Sequence, residues 1–177
     1  MAGVRRYQVA DVSGDTTNNH GDIYLGDPVT LNGSGLVTVA NSGDTILGVV
    51  VGVGKAGTFD VAAPFNPDNL TERFVRLEDT GTETYFVWIS PAESAMFEAQ
   101  SDSDLDLAIG AAADITTEPG TAHGSRLTGN STAEIAANVN DDVRVIQIPA
   151  YPDNDPTLAN TRYHVTFTNR QFLAAIP

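Results

Sequence analysis

The sequence predicts an all-β fold, and three observations predict it. Turn signals recur roughly every ten residues, among them Gly26-Asp27, Asn32-Gly33, Ser42-Gly43, Thr80-Gly81, Pro119-Gly120 and Gly129-Asn130. Between them lie short runs rich in β-branched and aromatic residues, the spacing expected of an antiparallel barrel or sandwich. Only Leu105–Ala113 has a helix-like composition, and Gly110 interrupts it, so at most one short helix is expected there. At 177 residues the chain fits one domain, or two small ones sharing a core. A chain of this size buries roughly 70% of its unfolded surface and needs no disulfide or metal to fold.

Taken in order, the expected strands are Arg5–Val12, Ile23–Leu31, Leu36–Ala40, Thr45–Val53, Phe74–Leu77, Tyr85–Ile89, Met96–Gln100, Val143–Ile148 and Arg162–Thr168. The last is the clearest. Tyr163, Val165 and Phe167 alternate with Arg162, His164, Thr166 and Thr168, the period of two that marks a strand with one buried face. Val143, Val145, Ile146 and Ile148 load both faces of the strand before it, as a central strand would. Pro149, Pro152 and Pro156 then forbid a regular ladder, so the connection must be an ordered surface excursion. Tyr85–Ile89 carries the single tryptophan, Trp88, and reads as a buried central strand. Thr116–Asn138 reads as a long loop with strand fragments at Arg126–Leu127 and Glu134–Ala136. A soft boundary at Pro64–Gly81 suggests a β-rich segment over 1–66, a connecting segment over 67–82 and a barrel-like domain over 83–177. No internal repeat is evident in the sequence.

The formal charge of −14 and the pI near 4.2 argue against direct nucleic-acid binding, which relies on basic surface to displace counterions. Lys55 is the only lysine, and the remaining cations are arginines, whose planar fork suits interface ion pairs. The N-terminus has no apolar core of signal-peptide length. The longest apolar run, Ile46–Val53, is too short to span a bilayer, so a soluble chain without a classical export signal is expected. The absence of cysteine excludes thiolate chemistry and thiolate zinc sites.

No motif carries catalytic chemistry. Asp102, Asp104 and Asp106 have the spacing that opens an EF-hand loop, but Leu107 and Ala113 stand where the loop needs glycine and a bidentate glutamate. Asp153 and Asp155 form a weaker candidate cation pair, and an exposed acidic turn is the better reading of both groups. Gly52-Val53-Gly54-Lys55-Ala56-Gly57 matches a dinucleotide fingerprint in letters only, because strand-like residues follow where a helix must begin. His20, His123 and His164 lack metal-ligand spacing, and no serine lies in a nucleophile elbow. The expectation is a non-enzyme with no catalytic, cofactor or metal site. Asn69 and Asn130 open glycosylation sequons that are expected to be silent. Arg5 and Arg6, adjacent cations opening an acidic chain, have two readings: a solvated edge strand, or an N-terminal arm whose arginines pair carboxylates on a partner.

One resemblance joins several of these pieces. A strand ending in a hydrophobic-Pro step, the Pro152-Asp153-Asn154 loop and a strand closing on Thr168-Asn169-Arg170-Gln171-Phe172 form its C-terminal part. Upstream stand Phe97-Glu98-Ala99-Gln100, the acidic Asp102–Asp106 and Ile109-Gly110-Ala111-Ala112-Ala113-Asp114-Ile115, and nearer the N-terminus Gly26–Leu31, Leu36–Ala40 and Ile46–Val50. In this order they resemble the β-domain of tailed-virus capsid decoration, or cement, proteins. The resemblance implies a compact, β-tulip-like barrel or sandwich that binds the outer surface of an assembled capsid and bridges neighbouring major capsid protein subunits. It also implies a homo-oligomer, a trimer before a dimer, while the charge argues against nucleic acid as a partner and the short apolar runs against a membrane. The capsid-contact candidates are Arg5, Arg6 and Tyr7. The alternatives are a glycan- or receptor-binding β-module on a virion or cell surface, and a hydrolase using scattered carboxylates.

Overall fold

The computed structural model describes residues 3–11, 22–55, 74–76, 80, 83–93, 95–117, 124–125 and 127–171. Among them are twelve strands and no helix. The strands are β1 (Arg5–Gln8), β2 (Ile23–Tyr24), β3 (Pro28–Leu31), β4 (Val37–Val39), β5 (Gly48–Lys55), β6 (Phe74–Val75), β7 (Tyr85–Pro91), β8 (Phe97–Gln100), β9 (Ala112–Ile115), β10 (Ile135–Ala136), β11 (Val143–Gln147) and β12 (Arg162–Phe167). They form a five-stranded sheet β1-β7-β5-β3-β4, a second five-stranded sheet β10-β9-β11-β12-β8, and the short ribbon β2-β6. Every pairing between named strands is antiparallel.

Each sheet curls until its end strands meet. In the first, the Val9 N–H donates to the Tyr85 carbonyl (3.0 Å) and the Ala10 N–H to the Val37 carbonyl (2.9 Å), which joins the end of β1 to β4 through a parallel bridge. In the second, the Ser101 N–H donates to the Thr161 carbonyl (2.9 Å) and the Asp102 N–H to the Ile135 carbonyl (3.0 Å), joining the end of β8 to β10 in the same way. A β-bulge helps both to close, because an extra residue bends its strand and increases the local twist. The first bulge lies between Val50 and Gly52 against β7, the second between Val145 and Gln147 against β12. The extra residues, Val51 and Ile146, are turned outward and exposed.

The two barrels have one topology. Numbering the strands of each barrel in chain order, both run 1-5-4-2-3 around the sheet and close by a parallel bridge between 3 and 1. The strand registers correspond residue by residue: Arg6 corresponds to Glu98, Val29 to Ala113, Val37 to Ile135, Val50 to Val145, Trp88 to His164 and Ile89 to Val165. Even the turn entering the second strand is repeated. The Asp27 N–H closes onto the Tyr24 carbonyl (3.2 Å) and the Ala111 N–H onto the Ala108 carbonyl (3.0 Å). Gly26 (φ 96°) and Gly110 (φ 88°) supply the left-handed third residue that a type II turn demands. The chain therefore contains a structural repeat that the sequence reading did not find.

Each barrel has its own core. Val29, Val37, Val39, Val50, Val87 and Ile89 are among the residues filling the first, and Ile46, Ile135, Val143, Val145, Tyr163 and Val165 are among those filling the second. Because β7 pairs with β1 and β5, the expected unit 83–177 is divided between both barrels, and the break between sheets falls after Pro91. The expected boundary at Pro64–Gly81 lies largely outside the described residues. Leu105–Ala113 is not helical. Leu105 and Leu107 pack inward on the second core while Asp102, Asp104 and Asp106 are exposed, in an irregular strap bent by the Leu105 N–H bond to the Ser103 carbonyl (3.0 Å) and by a left-handed Asp106 (φ 43°), and β9 begins at Ala112. Arg5–Gln8 is an integral strand paired through Arg5–Ile89 and Tyr7–Val87, so the N-terminal arm is not the form these residues take. Trp88 lies in a central strand as expected but on its half-exposed outer face, opposite the buried Tyr85, Val87 and Ile89. Ile146 likewise faces out because the bulge gives it no place in the alternation.

The barrels are fused along a polar seam. The Ile46 N–H donates to the Asn169 carbonyl (2.7 Å), and the Gln171 N–H returns a bond to the Ile46 carbonyl (3.0 Å). The Gln171 side chain accepts from the Leu31 N–H (2.8 Å) and donates to its carbonyl (3.1 Å). Asp142, fully buried, accepts from the Ser42 hydroxyl (2.7 Å), the Gly43 N–H (2.8 Å) and the Ile115 N–H (3.1 Å), so one carboxylate binds the β4–β5 turn of the first barrel to β9 of the second. Thr117 completes the seam by donating its hydroxyl to the Ala40 carbonyl.

Removing that carboxylate leaves the buried Ile115 N–H without its acceptor, while the Ser42 and Gly43 donors, on exposed residues, can turn to water. A hydrogen bond to a charged group contributes about 1.5–3 kcal/mol. Asp142→Ala is therefore expected to lower the unfolding free energy by about 1.5–3 kcal/mol, with Asp142→Asn intermediate. Urea denaturation followed by circular dichroism reads this directly, and an unchanged midpoint would show that the seam does not depend on Asp142.

Candidate binding faces

The repeat places two outward faces at corresponding positions, and their chemistry differs. On the first barrel Arg6 stands directly across from Trp88, with its guanidinium carbon 4.8 Å from the Phe86 ring centroid. Trp88 reaches across β5 because residue 54 is glycine. A Cβ at Gly54 would lie 2.8 Å from one indole carbon and 2.9 Å from another. The exposed Val51 belongs to the same outward side of β5, and Val4 extends the edge. The face is cationic and aromatic.

On the second barrel the positions of Arg6, Phe86 and Trp88 are taken by Glu98, Arg162 and His164. Glu98 Oε2 accepts from the Tyr151 hydroxyl (3.0 Å) and lies 3.6 Å from His164 Nε2. Arg162 stacks over the Tyr151 ring, 4.8 Å from its centroid, and pairs with Asp153 at 2.5 Å. His164 Nδ1 is buried with no hydrogen-bond partner among the described residues. The hydrogen bond to Glu98 pushes the Tyr151 hydroxyl above its ordinary 10.0. The Glu98 charge and partial desolvation push the same way, and Arg162 opposes them. Tyr151 is therefore a protonated donor throughout the neutral range.

The proline-rich excursion holds Tyr151 in place with side chains, since three prolines cannot donate. Asn154 substitutes for a strand: its amide donates to the Pro149 and Arg162 carbonyls (both 3.0 Å), and its oxygen accepts from the Arg162 N–H (2.7 Å). Thr161 donates its hydroxyl to the Asp155 and Leu158 carbonyls. Asp155 accepts from the Thr157 hydroxyl (2.7 Å) and N–H (3.0 Å), which depresses its carboxyl pKa below the usual 3.8. The excursion is ordered, as the sequence reading expected.

The contact candidates fall unevenly on this scheme. Arg6 belongs to the first face. Arg5 is exposed, 3.9 Å from Glu93, and Tyr7 packs on the first core and is half-buried. Sequence reading missed Trp88 and Phe86 as surface groups, and missed Glu98, Tyr151 and Arg162 as a cluster. The alternation in Tyr85–Ile89 held the signal for the first pair, but nothing in the sequence brings Tyr151 to Glu98. Asp153 and Asp155 are engaged by Arg162 and Thr157. Among the described residues no group of three or more His, Cys, Asp or Glu side chains is placed to hold a metal ion. Gly52–Lys55 lies within β5, while Ala56, Gly57, His20, His123 and Asn69 lie outside the described residues. No helix among the described residues is long and apolar enough to cross a membrane.

Between the barrels, a cavity of about 160 Å³ is lined by Gly26, Pro28 and Val49 from one side and by Phe97, Glu134 and Phe167 from the other, with further second-core residues. Burial raises the Glu134 carboxyl above its ordinary 4.5, and the charge of Asp102 adds to this. The lining is dominated by core side chains, so the space reads as an imperfection of the seam.

Ion pairs and cation–π contacts this exposed contribute about 1 kcal/mol or less each, so they orient the side chains more than they stabilise the fold. The faces can therefore be altered without unfolding the chain. Gly54→Val should displace the indole, shifting the fluorescence of the only tryptophan to longer wavelength with a stability loss of about 1–3 kcal/mol, the usual cost of overpacking. An unshifted emission maximum would contradict the placement of Trp88 over β5. For Asp155 the folded pKa is depressed, so its contribution is fully present above 3.8 and is lost as pH falls through the folded value. Amide exchange at Thr157 should accelerate below that pH, and Asp155→Asn should remove most of the acid dependence. Protection that is flat with pH would count against the bond.

No protein-family model, curated protein or solved structure matches the chain.

Proposed function

We propose that this chain is a structural virion protein, a decoration or cement protein that binds the outside of an assembled capsid and bridges neighbouring major capsid protein subunits. The observation that carries the reading is the pair of barrels fused by the Asp142 seam, each presenting a different face at the same positions. A bridge needs two attachment surfaces on one stiff body, and a monovalent binder does not. Two modest footprints on a rigid body act at high mutual effective concentration, so neither has to be strong alone. The resemblance of the ordered segments to cement proteins supplies the virion context. The charge of −14 suits a position facing solvent and is poorly suited to packing against DNA. In this reading the partners are the major capsid protein and further copies of this chain, a trimer before a dimer. Neither nucleic acid nor membrane is a partner, and no catalysis is involved.

Ligand binding to the assembled state alone stabilises that state by mass action. Capsids lacking the protein should release their DNA at lower temperature, and adding it back should restore retention. Trp88→Ala and Tyr151→Ala, one on each face, should each weaken attachment roughly tenfold, about 1.4 kcal/mol, while circular dichroism stays native. Binding to purified capsids followed by cryo-electron microscopy measures both occupancy and position. Full attachment of both variants, or density on the DNA-facing side of the shell, would overturn the proposal.

A further inference from the structure

The repeated type II turn is covered in one barrel and bare in the other. In the first barrel Leu25 occupies its second position. The Leu25 N–H donates to the Gly129 carbonyl (2.9 Å), and its carbonyl accepts from the Ser131 N–H (2.7 Å), forming a parallel bridge to Asn130. The covering segment is a hairpin from the second barrel. It is closed by bonds from the Ser125 N–H to the Asn130 carbonyl (3.0 Å) and from the Gly129 N–H to the Ser125 carbonyl (2.7 Å). It can seat here because Gly124 has no Cβ, which would otherwise stand 2.2 Å from the Tyr24 ring. In the second barrel the corresponding residue is Ile109, whose side chain is 68% exposed and whose backbone N–H and C=O have no partner among the described residues. Its neighbours Ala108 and Gly110 are exposed as well. The turn is nevertheless held firmly: the Gly110 N–H donates to the Val145 carbonyl (2.8 Å), and Arg144 Nη1 donates to the Gly110 carbonyl (2.9 Å).

We propose that the Ile109 turn is a docking site for an extended, arginine- or lysine-bearing segment of a partner protein, which pairs with it as Gly129–Ser131 pairs with Leu25. The internal copy shows the geometry such a segment takes, with one extended residue between two backbone bonds and an apolar side chain beneath. The electrostatics select its charge. Asp102, Asp104 and Asp106 are exposed along the strap that leads into Ile109 and outnumber the one cation at the turn, Arg144, whose Nη1 is engaged by the Gly110 carbonyl; the chain as a whole carries −14. A second copy is a poor occupant, because its matching hairpin is already seated on its own Leu25. Strand addition of this kind draws affinity from main-chain bonds and selectivity from the flanking side chains. The inference stands on the paired turns, whichever protein supplies the segment.

Type II turns favour proline at their second position, so Ile109→Pro keeps the turn and deletes only the donor and the side chain. Leu25→Pro is the internal control, because the same change there breaks a bond that exists and should lower the melting midpoint. Ile109→Pro should leave the midpoint unchanged or raise it. The binding probe is a peptide with Gly-Asn-Ser between two pairs of arginines, titrated into the isotope-labelled free chain and read at the Ile109 and Gly110 amides. Those signals should shift on titration. Ile109→Pro should weaken binding roughly tenfold, and Asp104→Asn with Asp106→Asn should weaken it roughly threefold at low salt. The peptide with glutamates in place of arginines should not bind. Ile109→Ala, which leaves the backbone intact, gives a second reading with an expected loss of roughly threefold. Equal affinity for the glutamate peptide, or undiminished binding by the Ile109 variants, would overturn the proposal. So would self-association of the wild-type chain that Ile109→Pro abolishes. The titration uses free protein, so its outcome is independent of whether the chain attaches to capsids.

Discussion

The orientation of one barrel on the other follows from where the Asp142 carboxylate sits, because it accepts hydrogen bonds from both barrels at once. Its position follows from chain order. It immediately precedes β11, the central strand of the second barrel, and it meets the β4–β5 turn of the first through Ser42 and Gly43. A carboxylate has acceptor capacity for all three donors, and a neutral side chain of similar size has not. Burial makes the arrangement demanding, since each unsatisfied group in a low-dielectric seam costs more than it would in water. The backbone bridge at Ile46 and the clasp of the Gln171 side-chain amide on the Leu31 backbone reinforce it. Bonds from Asp142, Ile46, Gln171 and Thr117 thus all cross the same seam, and together they tie one outer face to the other.

Within each barrel, curvature comes from two devices at matching places, the bulge on the fourth strand and the glycine turn before the second. The bulge makes the sheet twist tightly enough for the end of strand one to meet strand three at a single parallel bridge. The outward Val51 and Ile146 are a consequence: a bulge residue leaves the alternation and has no core to face. Their exposure is therefore a by-product of closure before it is a sign of function.

Much of the fold was legible because inward positions obey a period of two whatever their identity. Tyr163, Val165 and Phe167 announced β12, and the run from Tyr85 to Ile89 announced β7. The repeat was illegible for the same reason. Counterparts such as Val29 and Ala113, Val37 and Ile135, or Ile89 and Val165 share hydrophobicity and little else, while loop lengths differ so much that no constant spacing links them. At the outer positions the two halves share little beyond Gln8 and Gln100, since Arg6, Phe86 and Trp88 correspond to Glu98, Arg162 and His164. The helical composition of Leu105–Ala113 misled because propensity is a weak prior, and here Leu105 and Leu107 are drawn onto the second core by an irregular strap with a left-handed residue, Asp106, between them. The cluster of Tyr151 with Glu98 could not be read at all, because it depends on the path that Asn154 sets for a loop with three prolines.

A duplicated barrel in one chain creates an asymmetry that neither barrel has alone. The second unit reaches back and covers the first at Leu25, and nothing in the described residues reaches forward to cover the second at Ile109. In open repeat arrays each unit is completed by its neighbour and the last one is left exposed or capped. Further copies of this chain could extend the series only by freeing their own hairpins, and the self-repulsion of −14 works against that. The exposed turn is thus protected from the most abundant competitor, the chain itself, while the acidic strap beside it favours a segment of opposite charge. What fixes partner choice at this end of the molecule is the combination of a repeated backbone, which sets the geometry of pairing, and an unrepeated surface, which sets its sign.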